Sequence, residues 1–238
     1  MRADHVLVLR GIAVSGEAAR AMILAGEVLL PNGRVEKAGQ LIPFDSELRV
    51  ASRRRFVSRG GDKLESALSD FGLDVTGLVA LDVGASTGGF TDCLLQSGAL
   101  HVYGIDVGRA QLAEKLRRDD RVTFWEGVNG RETYVVPSKV DLVVADVSFI
   151  SLRLVLPPAA LHAKPDGRAL VLVKPQFESG KGQVGRGGVV RDPLVRAQTV
   201  GSFCIWSVAQ GFRVLGVRPS RLQGSKGNQE FFVLLRIP

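Results

Sequence analysis

From residue 78 onward, short unbroken apolar runs alternate with amphipathic stretches. LVALDVG, HVYGID, RVTFWEG, VDLVVAD, ALVLVK, FRVLGVR and EFFVLLRI are mostly rich in Val, Leu and Ile, the pattern of strands covered on both faces. Between them lie GFTDCLLQSG, RAQLAEKLRRD, a stretch following Ser151 and DPLVRAQTVGSFCIWSVAQG, which read as helices. Strands and helices in strict alternation predict an α/β fold with a doubly wound, mostly parallel sheet. The last two strands have no helix between them, so they are expected to pair antiparallel at an edge.

The first 50 residues follow a different grammar. In GEAARAMILAGEVLL the apolar residues Ala18, Ala21, Met22 and Leu24 or Ala25 recur at helical spacing, Gly26 stops the run, and VLL follows as a strand. PNGR at 31 to 34 and the Pro43/Asp45 pair are turn chemistry. The expected organisation is a small α+β unit over residues 1–52, a basic linker over 53–57 and a larger α/β domain over 58–238.

Composition narrows the class. Hydrophobic residues make up 45% and charged residues 23% of the 238, ordinary for a folded soluble protein. The two cysteines, Cys93 and Cys204, are far apart in the chain, which points away from a disulfide framework or a thiolate metal site. No signal pattern opens the chain and no apolar run approaches the ~20 residues of a membrane span, so a cytoplasmic location is expected. The net charge of +7 is uneven: residues 1 to 59 carry ten Lys/Arg against six Asp/Glu, and no acid lies between Arg49 and Arg59. A one-signed patch of this kind suits a polyanion such as nucleic acid. SRRRFVSRGGDKL, at 52 to 64, concentrates it, and places Lys63 where a helix should begin.

Candidate chemistry gathers at strand ends. VALDVGASTGGF, residues 79 to 90, runs from a strand through a glycine-rich turn into a helix, where open α/β sheets bind nucleotides. The turn, with Gly84, Ser86, Thr87, Gly88, Gly89 and Phe90, matches neither GxGxxG nor a P-loop, since Phe90 stands where the lysine would be. Asp82 and the missing lysine suit a ligand that presents a cationic amino acid. Asp106 ends the second strand, where an acid binds ribose hydroxyls. Taken together these positions favour S-adenosylmethionine over a dinucleotide. Asp146 ends the fourth strand and Lys174 ends ALVLVK, and a lysine partly desolvated at a strand end is a candidate general base. The competing reading of Lys174 is a side chain snorkelling out of the sheet.

With these residues in place the chain resembles the TlyA, or hemolysin A, family of ribosomal RNA 2′-O-methyltransferases, whose catalytic domain is related to the FtsJ (RrmJ) fold. SRGGDKL, DVGASTGGFTD, VVADVSFISL, VKPQFESGKGQVGRGGVVRDP and GNQEFF carry the resemblance, which spans nearly the whole chain. It implies a Rossmann-like seven-stranded methyltransferase domain, S-adenosylmethionine as cofactor, no metal, and a catalytic set of Lys63, Asp146, Lys174 and Glu230. Asn129, in GVNGRE, falls where the family has an Asn-x-Arg pattern near the cofactor; with Asp82, Asp106, Asp146 and the glycine-rich turn it completes the expected cofactor set. The first 50 residues look like the RNA-binding domain named for small-subunit ribosomal protein S-four. That likeness points to Arg10, Ser15, Arg20 and Lys37 as RNA contacts, joined by Arg54, Arg55 and Arg59 of the basic run. The family's usual Ser-Arg is here Ser15-Gly16, leaving one phosphate contact to Arg20 or to no residue. A plain solvated linker is the competing reading of Arg53 to Arg55.

The resemblance implies ribosomal RNA, free or in subunits, as partner, with cytidine ribose as the acceptor; a monomer is the default expectation. FESGKGQVGRGG, residues 177 to 188, reads either as an adaptable lid over RNA phosphates or as a plain mobile surface loop. The chain stops at Pro238, soon after the last strand, as expected of a shorter family form with narrower substrate range. Two other classes compete: a membrane-active hemolysin, disfavoured by the lack of a spanning segment, and a non-catalytic RNA-binding assembly factor, disfavoured because all four catalytic positions are filled.

Overall fold

The computed structural model describes residues 1–24, 26–50, 55–180, 182–185 and 187–238, and it divides into two units, Met1–Arg54 and Arg55–Pro238. In the first, helices α1 (Ala3–Leu9) and α2 (Gly16–Leu24) accompany three short strands, β1 (Val28–Leu30), β2 (Gly33–Arg34) and β3 (Arg49–Val50). The strands pair antiparallel in the order β2-β1-β3. Val6, Leu7, Ala19, Ile23, Val28 and Val35 are fully or almost fully buried in a core of their own. Ser15 caps α2, accepting from the amide of Ala18 at 3.1 Å.

The second unit opens with α3 (Arg59–Phe71). Ser58 caps its start by accepting from Gly60 N–H, and Gly72 ends it at φ 58 with its N–H turned back to Leu68 and Ser69, the expected Ser and Gly roles at helix ends. There follow β4 (Val79–Val83), α4 (Gly89–Gln96), β5 (His101–Asp106), α5 (Glu114–Arg117), β6 (Val122–Glu126), β7 (Val140–Ala145), α6 (Leu152–Ala160), β8 (Ala163–Val173), α7 (Pro175–Glu178), α8 (Pro193–Ala209), β9 (Arg213–Pro219) and β10 (Phe231–Arg236). All seven expected strands form, in the order β6-β5-β4-β7-β8-β10-β9. The expected mostly parallel sheet is present, with β10 antiparallel to both β8 and β9.

Alternation along the strands sorts side chains into two cores. Val143 and Ala145 of β7 join Leu152, Val155, Leu156 and Phe203 on one face. Leu142 and Val144 join Leu64, Leu94, Leu172 and Phe232 on the other. Each fully buried side chain of this size contributes about 1.5–3 kcal/mol by leaving water. The helix expected over RAQLAEKLRRD shortens to α5. Ala110 sits at φ 54, Gly108 N–H is taken by Asp106 Oδ1 at 2.6 Å, and Ala113 N–H bonds to Thr87 O at 3.2 Å, so residues 107 to 113 follow the rim of a cavity instead of coiling. Among the described residues no helix is long and apolar enough to cross a membrane.

Candidate active site

The carboxyl ends of β4, β5 and β7 open onto a cavity of about 550 Å³ lined by Gly84, Ser86, Asp106, Asn129, Asp146 and Phe149 among others. The chain leaves β4 toward β5 on one side and returns to β7 on the other, the switch point at which such sheets bind ligands. Gly84 stands at φ 81, and a Cβ there would lie 3.0 Å from Val147 Cγ1, so only glycine keeps the turn open beside the cavity. Asp106 is held by two amides, with Oδ2 accepting from Ser86 at 2.8 Å and Oδ1 from Gly108 at 2.6 Å. Each oxygen keeps a further lone-pair site, so Asp106 can still accept from two sugar hydroxyls. These donors and this room fit S-adenosylmethionine.

Other members of the expected cofactor set lie apart from this cavity. Asp82 is fully buried; its Oδ2 accepts from Thr91 N–H at 3.0 Å and Thr91 Oγ1 at 2.7 Å, pinning the first turn of α4. Its Oδ1 has no hydrogen-bond partner among the described residues. Burial pushes the Asp82 carboxyl up to about 7, the Thr91 bonds oppose the shift, and the charges of Asp146 and Asp106 add to it. Gly88, Gly89 and Phe90 also face inward: a Cβ on Gly88 would meet Leu116 at 2.3 Å, one on Gly89 would meet Ser58 Oγ at 2.2 Å, and Phe90 stacks on Phe232. Thr87 is exposed and gives its carbonyl to Ala113. These five residues shape the turn from behind.

A second cavity, of about 480 Å³, is lined by Arg59, Lys63, Lys174, Gln176, Phe177 and Glu230 among others, and it shares Ser148 and Phe149 with the first. The four residues expected to be catalytic form two ion pairs beside it. Lys63 Nζ donates to Glu230 Oε2 at 2.5 Å, with both side chains nearly buried. Lys174 Nζ lies 2.7 Å from Asp146 Oδ1; that approach falls outside hydrogen-bond angles, and the ammonium donates instead to Ser148 Oγ at 2.8 Å. Asp146 borders the first cavity and Lys174 the second, so this pair spans the junction. Buried charges of this kind are stable only as pairs.

The expected RNA contacts scatter over both units. Arg10 donates to the carbonyl of Ser46 at 2.5 Å, Ser15 is the cap of α2, and Arg20 and Lys37 are exposed. Arg55 pairs with Glu65, and Arg59 donates to Gln223 O at 2.9 Å on the wall of the second cavity. Arg53 and Arg54 lie outside the described residues, as do Lys181 and Arg186, the two cations of the expected lid. Gln111, Ser148, Phe149 and Gln176 were not singled out by sequence reasoning, yet line the cavities. Ser148 and Phe149 carried a usable signal, standing two and three positions after a strand-end Asp.

Residues 56–237 match the family model described as FtsJ-like methyltransferase. The chain is 46% identical to the 16S/23S rRNA (cytidine-2′-O)-methyltransferase TlyA of Mycobacterium tuberculosis, over 99% of this chain and 89% of that protein. It is 44% identical to YqxC of Bacillus subtilis, provisionally named an rRNA methyltransferase, over 100% of this chain and 86% of that one. A solved structure from Streptococcus thermophilus, of a protein provisionally named a hemolysin, superposes with a TM-score of 0.76 at 41% identity, covering 100% of this chain and 88% of that one.

Proposed function

The chain belongs to the FtsJ-like methyltransferase family, and from that premise we propose that it methylates a ribose 2′-hydroxyl of ribosomal RNA, on cytidine, with S-adenosylmethionine as donor. One observation carries the reading: two cavities meet at Ser148 and Phe149, and an ion pair of buried Lys174 with partly buried Asp146 spans the meeting point. The first cavity supplies donors and acceptors for the cofactor through Gly84, Ser86, Asp106, Asn129 and Asp146. The second has the cations to receive a nucleotide, with Arg59, Lys63, Lys174 and Lys226 on its walls.

Bound S-adenosylmethionine supplies an already activated methyl group. The acceptor hydroxyl is a poor nucleophile near neutral pH, so the protein's part is to orient that oxygen and assist the loss of one proton. In this reading Lys174 acts as the free amine: it takes the hydroxyl proton and so becomes the ammonium that lies beside Asp146 and donates to Ser148. Lys63 stands on the same cavity, held by Glu230, and orients the ribose. RNA phosphates are met by Arg20 and Lys37 in the first unit and, separately, by Arg55 and Arg59 in the second. A substrate of this kind places the reaction in the cytoplasm.

The test is methyl transfer from labelled S-adenosylmethionine to ribosomal subunits and to free ribosomal RNA, with the modified ribose mapped. Lys174→Ala should lower the rate by about 100-fold or more, the range of a lost proton-transfer group, while RNA affinity holds. Full activity in that variant would refute the role given to Lys174.

A further inference from the structure

The loop from Asp146 to Ser151 is the wall common to both cavities: Asp146, Val147, Ser148, Phe149 and Ile150 line the first, and Ser148 and Phe149 line the second. Its backbone does not hold itself. Phe149 sits at φ 63 and is 91% exposed, a strained conformation for a bulky residue that needs support from neighbouring segments. The helix that follows gives limited support, since Pro157 and Pro158 lie inside α6 and have no N–H to bond to the preceding turn.

Support comes from α7. Glu178 has its side chain 2% exposed, and both oxygens reach the start of α6. Oε1 accepts from Leu152 N–H at 2.6 Å, and Oε2 accepts from Ser151 Oγ at 2.8 Å. Ser151 Oγ in turn caps α6 by accepting from Arg153 N–H at 3.2 Å, and Arg153 Nε lies 3.7 Å from Glu178 Oε2. A carboxylate at a helix N-terminus satisfies amides that have no partner within the helix and meets the positive end of its dipole. Three further contacts join the same two segments: Lys174 to Asp146, Lys174 to Ser148, and the Phe149 and Phe177 rings at 5.2 Å. Those three belong to cavity-lining residues. Glu178 lines neither cavity, so its influence on the reaction passes through the loop.

From this arrangement, and resting on the function proposed above, we infer that Glu178 is a positioning residue: it caps α6 from across the site and so fixes the 146–151 wall between the methyl donor and the acceptor ribose. Two readouts on the full chain test this. Amide hydrogen exchange, with no RNA present, should show Glu178→Ala speeding exchange around Phe149 to Arg153 by about tenfold or more, with β4 and β7 unchanged. Methyl transfer per cofactor-binding site, the sites counted by calorimetric titration with S-adenosylhomocysteine, should fall by about 10- to 100-fold. Glu178→Gln should recover part of both, because its amide oxygen still accepts from Leu152 N–H. Unchanged exchange in the loop, or a lower melting temperature with wild-type turnover per site, would overturn the inference. Should Glu178→Ala fail to fold, Glu178→Gln and Ser151→Ala carry the same test, and wild-type behaviour of both would overturn it. Absence of transfer by the wild-type chain would count against the proposed function alone, since the exchange experiment judges Glu178 independently.

Discussion

Asp82 shows how its surroundings set a carboxylate's behaviour. Its neutral form is favoured in the folded protein, with the pKa pushed up to about 7 by burial. The stabilisation attached to that neutral form is complete below the unfolded value near 3.8 and is lost as pH rises through about 7. The shift corresponds to about 4 kcal/mol over that window. Asp82→Asn cannot ionise, so it should gain stability relative to wild type from about pH 4 to about pH 7 and level off above, as read from paired calorimetric melts. Parallel pH profiles of the two proteins would refute this. Sequence reasoning placed Asp82 at the cofactor because it precedes the glycine turn; its orientation into the sheet depends on strand register, which pattern alone does not supply. Asp146 and Lys174 were legible as polar residues ending apolar runs. Lys63 and Glu230, 167 positions apart, have no local signal that pairs them, and only the family resemblance suggested their meeting.

At the scale of elements, apolar runs identified the strands of the large sheet: the inner ones are nearly all apolar because both faces are covered, and the part-exposed edge strands β6 and β9 still carry Val with Leu or aromatic residues. The antiparallel pairing of the last two strands was legible from the missing helix between them and forms as β9 against β10; EFFVLLRI does not reveal that β10 has β8 as its other neighbour. Helical periodicity misled over residues 109–113, where bonds from Asp106 and Thr87 to backbone amides outweigh a pattern suited to a helix. The turn before α4 is the most constrained junction. Gly88 combines φ 90 with a Cβ position 2.3 Å from Leu116 and 2.8 Å from Leu112. Gly88→Ala therefore meets both backbone strain, about 1–3 kcal/mol, and a clash with the terminal methyls of Leu116 and Leu112, which must shift to admit it. It should shift the denaturant midpoint accordingly and weaken S-adenosylhomocysteine binding. A variant with unchanged midpoint and affinity would show that the turn relaxes freely.

At the scale of the molecule, the change in grammar near residue 50 marked two units, and the cores are built accordingly. The apolar cluster of the first unit draws on residues between Ala3 and Leu48, while the two clusters of the second draw on residues from Phe56 onward. A core that shares no residue with another melts on its own balance of burial and chain entropy. The first unit has few strands of two or three residues and a small core, so it should melt at the lower temperature. The candidate cofactor cavity is lined wholly by residues of the second unit. A ligand that binds only the folded form raises stability by about 2.7 kcal/mol at a hundred times its Kd, which for a unit of this size is a rise of about 5–10 °C. Differential scanning calorimetry of the full chain should therefore resolve two transitions, with S-adenosylhomocysteine moving the upper one by that amount and leaving the lower in place. A single transition, or equal movement of both, would show that the units unfold as one and that binding energy from the cofactor site reaches the first unit.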